Sequence, residues 1–258
     1  MTKKRKIKTK LKHSALFYRF SISVEKENSI FYDEYNIISK TIDSINSFRK
    51  LYKAGRSGAK GGPSTHDQQD LYRAMLIFAC AGLDVFVKQL VKNKLPQLLE
   101  VDKDVQNRFK EYVKRGIHKD DKAILNTVAL ALIDQSPRSV FLKEYVRNMT
   151  GDSLQSVDEL CKISEASALE TKKIFNDTRR GTIKEAFTAR NEIIHEMDIN
   201  ISESSSRTTG YRTRRQRKAP IMEKHTKSIL NLAEEIFISY KDKFEKYKIG
   251  VEKKVTKV

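Results

Sequence analysis

The sequence predicts an all-α protein, and three observations carry that reading. No stretch alternates apolar and polar residues with the two-residue period of a strand. Only four prolines and ten glycines punctuate 258 residues. Apolar residues recur at helical spacing behind identifiable helix-start signals. The length is enough for one sizeable core.

Residues 1–12 are basic and read as a flexible arm, and His13 to Glu27 has no clear period. From Ser29 to Leu51, Ile30, Tyr35, Ile37, Ile38, Ile42, Ile45 and Phe48 largely keep helical spacing. Ala54 to Pro63 is rich in Gly, Lys and Arg and predicts a loop. Thr65, with Gln68 three residues on, then forms a capping box. The helix it starts, Asp67 to Lys94, is apolar nearly all round between Ala74 and Val87 and is expected to be the central buried element. Pro96 is expected to break it.

Gln97 to Lys114 predicts a charged amphipathic helix ending at Gly116, and Asp120 to Asp134 predicts another. Ser136-Pro137 reads as an N-cap with proline at N1, starting a helix that Gly151 ends. Ser156 and Glu159 form a second capping box. Ala168 to about Ile199 reads as one long helix, with Gly181 its weakest point. Ser202 to Ala219 lacks apolar periodicity and predicts a mobile basic loop. Pro220 opens a last helix through Ile229, Leu232, Ile236, Phe237 and Tyr240, followed by a basic tail. The domain division is thus an arm (1–12), a helical extension with its loop (13–63), a main helical domain (64–245) and the tail (246–258).

The net charge of +18 is unevenly placed. Residues 1–12 carry seven Lys/Arg and no acid, residues 207–218 carry six and no acid, and residues 241–258 carry seven against three acids. The rest is close to neutral. A neutral globule with basic arms implies a polyanionic partner, RNA or DNA first. Basic arms that only aid solubility are the plainer alternative. Cys80 and Cys161 make no disulfide framework, and no Cys/His cluster has zinc spacing, so neither a metal nor another cofactor is expected. The N-terminus lacks the apolar core of a secretory signal, and the apolar run Ala74 to Val87 is short for a membrane span and contains Asp84. A cytoplasmic, reducing setting is the expectation.

One stretch concentrates chemistry: Arg190-Asn191-Glu192-Ile193-Ile194-His195. Spacing alone is a weak signal, because 17 arginines and five histidines will produce such a pair by chance. Placement says more. At about 100° per residue, Ala186, Ala189, Ile193 and Met197 fall to one side of Arg190, and Ile183, Phe187 and Ile194 to the other. Asn191 and His195 lie one turn apart at the edge, with Glu185, Glu192 and Glu196 behind. An arginine centred on an apolar stripe must be paired or line a cleft. A buried pair with Asp84, the acid inside the central helix, is one reading. A polar cleft holding Arg190, Asn191 and His195 is the other. Arginine offers a fork for phosphate oxygens and histidine exchanges protons near neutral pH. RNA brings its own 2′-hydroxyl nucleophile, so such a cleft needs no metal. With one histidine per chain in the cluster, a two-fold dimer would supply both base and acid.

These six residues resemble the R-polar-x-x-x-H motif of HEPN-domain ribonucleases. The helix carrying Ala79, Leu83, Asp84 and Phe86 is similar to the family's earlier helix, in which an acid interrupts a small/apolar run; the RiboL-PSP-like branch is the nearest. The resemblance covers residues 64–245. It implies a HEPN-like helical bundle, here with an extra N-terminal helix and basic arms. It also implies a homodimer that cleaves RNA without metal through Arg190, Asn191 and His195, with Asp84 as an orienting acid. A toxin or anti-phage role follows by family analogy, with an antitoxin or regulatory partner. Met197 stands where the HepT toxins of the family carry a tyrosine, so silencing through that tyrosine is not implied. Arg207, Arg212, Arg214, Arg215, Arg217 and Lys218 are expected to collect RNA, with Tyr211 among them as a base-stacking candidate. Two alternatives stay open: a non-catalytic RNA- or DNA-binding module, and an interaction subunit whose cleft binds a partner.

Overall fold

The computed structural model describes residues 17–20, 30–56, 64–119, 121–199 and 214–255, with side chains to residue 247. Among these residues there are nine helices and no strand: α1 (Tyr32–Arg56), α2 (His66–Val101), α3 (Lys103–His118), α4 (Lys122–Ile133), α5 (Pro137–Thr150), α6 (Val157–Ala166), α7 (Thr171–Ile174), α8 (Asp177–His195) and α9 (Ala219–Val255). The all-α expectation holds. The N-terminal arm and most of the predicted loops 54–63 and 202–219 (residues 57–63 and 202–213) lie outside the described residues, while Ala54 to Arg56 continue α1 instead of opening a loop.

α2 is the axis of the bundle. Thr65 and Gln68 cap it reciprocally, as the sequence predicts. Met75, Leu76, Ala79, Leu83, Phe86, Val87 and Leu90 are almost wholly buried, and α1, α5, α8 and α9 pack around them. By length and composition α2 could cross a membrane, yet 56% of its most apolar window is buried in the bundle, so its side chains already have partners. Gly82 permits a close approach: a Cβ there would stand 2.4 Å from Thr41 of α1.

Pro96 does not break α2, which continues to Val101. Leu95, Leu98 and Leu99 on the added turns are buried, and that burial offsets the hydrogen bond lost at proline. The break falls at Asp102. Its own N–H closes α2 on Leu98, while its carboxylate accepts the Asp104 and Val105 amides that open α3. Burial would raise this carboxyl, but Lys243, 2.6 Å away, and the amide and Tyr247 hydrogen bonds hold it below its ordinary value. Gly116 does not end α3 either; a Cβ there would meet Ile124 of α4 at 2.4 Å, so it serves packing.

The long helix expected from Ala168 is also divided, and not at Gly181. α7 stops at Ile174, Phe175 leaves the helical region, and Asn176 caps α8 by accepting the Arg179 amide. Buried Ile174 and Phe175 turn the chain into the core. Residues 17–20, unassigned from the sequence, dock on α1 and α9. Asn46 accepts the Phe17 N–H at 3.0 Å and donates to the Tyr18 carbonyl at 3.1 Å, and the Tyr18 hydroxyl reaches Asn231 and Glu234, both at 2.8 Å. At the other end α9 runs to Val255, so most of the expected tail is helix.

Candidate active site

α8 brings the motif to the surface of the bundle. Ile183, Ala186, Phe187, Ala189 and Ile193 are buried and fix its rotation. That leaves Arg190 half-buried and Asn191 and His195 exposed. The apolar stripe is narrower than the sequence suggests: Ile194 is 37% exposed and Met197 64%, so Arg190 stands at the rim of the buried face, not at its centre.

Arg190 is not paired with Asp84. Its Nη1 donates to the Gln155 side-chain oxygen and to Asn191 Oδ1 at 2.9 Å. Both anchors are neutral amides. This sets Arg190 apart from Arg49, Arg73, Arg179, Arg180, Arg214, Arg215 and Arg217, each of which meets a carboxylate. Arginine has five N–H donors, and among the described residues those on Nε and Nη2 of Arg190 have no partner. The group is therefore held in place without being neutralised. Beneath it, burial pushes the Cys80 thiol up to about 12, against the opposing effect of the Arg190 charge, so Cys80 is an inert core residue.

Asp84 acts one step removed. It pairs with Lys88 at 3.0 Å and accepts the Leu154 N–H at 2.7 Å. Leu154 is buried, and the next residue is Gln155, whose own N–H donates to Glu159 at 3.0 Å. The Ser156–Glu159 capping box completes the loop. The sequence does not single out Gln155: the adjacent capping box fixes the start of α6 but carries no sign of the contact with Arg190, 35 residues away.

A second network pins the far end of α8. Met197 and Asp198 have φ of 52° and 57°, in the left-handed region. Asp198 is fully buried. It accepts Arg73 Nε at 2.7 Å and Arg217 Nη2 at 2.6 Å, and its carbonyl accepts the Arg215 N–H at 2.7 Å. Arg215 and Arg217 also engage Glu192, Arg215 reaches Glu196, and Arg214 reaches Asp70 at 3.0 Å. Burial would raise the Glu192 carboxyl, yet hydrogen bonds from Arg217 and Arg215 hold it below its ordinary value. Ile199 and Arg214 form an isolated antiparallel bridge.

The expected RNA-collecting arginines thus separate. Arg214, Arg215 and Arg217 are committed to carboxylates and tie down the end of the motif helix, so their stretch is not a mobile loop. Lys218 is exposed at the start of α9. Arg207, Arg212 and Tyr211 lie outside the described residues. Such pairing joins residues far apart in sequence and left no local signal.

Residues 36–246 match a family model described as RiboL-PSP-HEPN, a span that takes in most of α1. No curated protein and no solved structure matches the chain.

Proposed function

The chain belongs to the RiboL-PSP-HEPN family, and from that premise we propose that it is a metal-independent endoribonuclease whose site is completed by a second copy of itself. The observation that carries this reading is Arg190, half-buried, fixed by the neutral side chains of Gln155 and Asn191, and presenting an uncompensated fork to solvent. A guanidinium prepared in this way suits a phosphodiester, whose two non-bridging oxygens match its geometry.

In the proposed reaction one His195 takes the proton of the RNA 2′-hydroxyl as the oxygen attacks phosphorus. The bond from phosphorus to the 5′-oxygen breaks, and the leaving oxygen takes a proton from the second copy's His195. The products are a 2′,3′-cyclic phosphate and a free 5′-hydroxyl. Arg190 stabilises charge on the phosphate, and Asn191 orients Arg190. The exposed Ile194 and Met197 flank His195 and supply apolar surface for the two-fold contact. A toxin or defence effector is the role this activity fits.

A second reading, RNA binding without cleavage, is favoured by the net charge of +18. Incubation of wild type and His195→Ala with total RNA in EDTA separates the two. Cleavage lost in the variant supports the enzyme, whereas intact RNA with salt-sensitive binding supports the module.

A further inference from the structure

Arg180, Lys184, Asn191 and His195 share one stripe of α8, within about 60° of arc at 100° per residue. Beside that stripe is a cleft of about 440 Å³ between α8 and the start of α6, lined by Gln155, Asp158, Arg180, Gly181, Lys184 and Asn191 among others. It is continuous with the candidate site, because Gln155 and Asn191 belong to both. Its volume lies within the range of sites that take small ligands, and would admit one nucleotide.

The lining carries two cations, Arg180 and Lys184, beside the Asp158 carboxylate and the Asn191 amide. Lys184 is exposed and has no carboxylate partner among the described residues. Among the described residues Arg180 meets only Asp158, at 3.1 Å, with side chains 45% and 81% exposed, a weak pair that a phosphate can displace. Asn191 gives its oxygen to Arg190, which leaves its NH₂ as a donor towards the cleft. Gly181 is the remaining clue. It lies inside α8, where glycine weakens a helix relative to alanine, and beyond its own helix a Cβ there would meet none of the described residues within 4 Å. Packing among the described residues does not require it, whereas a ligand approaching the backbone closely would.

We infer that this cleft holds the nucleotide next to the scissile phosphate, with its base unstacked over Gly181 and its phosphate on Lys184 and Arg180. A duplex keeps its bases stacked and cannot fill a one-nucleotide cleft without extruding one. The inference rests on the ribonuclease reading for its substrate, yet it is testable apart from cleavage.

The test measures binding of a labelled single-stranded oligoribonucleotide to the full chain carrying His195→Ala, in EDTA. Lys184→Glu should weaken binding at least tenfold. Lys50→Glu, the same charge change on exposed α1, should weaken it less than twofold. Gly181→Ala should raise Tm and still weaken binding several-fold, a combination that a purely structural glycine would not give. The same sequence as a duplex should compete at least tenfold more weakly. Equal losses in Lys184→Glu and Lys50→Glu, full affinity in Gly181→Ala, or equal competition by duplex would overturn the inference. If wild type leaves RNA intact while Lys184→Glu still loses binding, the nuclease reading falls and the cleft stands.

Discussion

The Asp84 carboxylate accepts the backbone N–H of Leu154 at 2.7 Å, across 70 residues of sequence. The acid inside the central helix therefore fixes the loop whose next residue, Gln155, holds Arg190. Asp84→Ala should lower kcat about tenfold through the misplaced guanidinium, a loss of roughly 1.4 kcal/mol, with KM little changed. Asp84→Asn keeps an acceptor for Leu154 and should restore most of the rate. Equal loss in both variants would show that the charge of Asp84, not its hydrogen bond, matters.

The neutrality of the Arg190 anchors can be tested directly. Gln155→Glu keeps size and shape but sets a carboxylate against Arg190. RNA affinity and cleavage should each fall at least tenfold while Tm holds or rises. Unchanged cleavage by Gln155→Glu would mean that Arg190 does not bind the phosphate.

The end of α8 depends on Asp198. Asp198→Asn tolerates the positive φ but leaves Arg73, 3% exposed, facing no charge at that contact. Arg73 keeps Asp70 at 2.9 Å and Arg217 keeps Glu192, so the loss should be about 2 kcal/mol, below that of an uncompensated buried charge; urea denaturation would read it as a lower midpoint. A change below about 1 kcal/mol would place the network with ordinary surface pairs.

His225 gives the pH dependence a sign. It is 6% exposed and its Nδ1 has no hydrogen-bond partner among the described residues. Burial lowers its pKa below the ordinary value; Lys224 and Arg217 add to this, and Glu185 opposes it. With the folded value below the unfolded one, the unfolded chain takes up the proton first. Stability therefore falls as pH drops through about 6.5. Urea midpoints should decline between pH 7.5 and 5.5, and His225→Gln should flatten that decline. An equally steep decline in the variant would assign it to other groups.

Much of the fold was legible because its signals are local. The Thr65–Gln68 and Ser156–Glu159 capping boxes lie within one turn of sequence, and the all-round apolar character of α2 identified the central helix. Pro96 misled because tertiary burial of Leu95, Leu98 and Leu99 outweighs a local penalty. At the site, helical spacing identified the Arg190, Asn191 and His195 face but overstated the burial of Ile194 and Met197. The Gln155 anchor and the Asp198–Arg73–Arg217 network were not legible, since each joins elements distant along the chain.

The most direct measurement is end-mapping of total RNA after incubation in EDTA with wild type, Arg190→Ala and His195→Ala. Wild type should generate fragments ending in 2′,3′-cyclic phosphate and beginning with 5′-hydroxyl, and each variant should cut at least a hundredfold more slowly while keeping the same thermal midpoint within a few degrees. Undiminished cutting by His195→Ala, or no cutting by wild type under conditions where it binds RNA, would contradict the account.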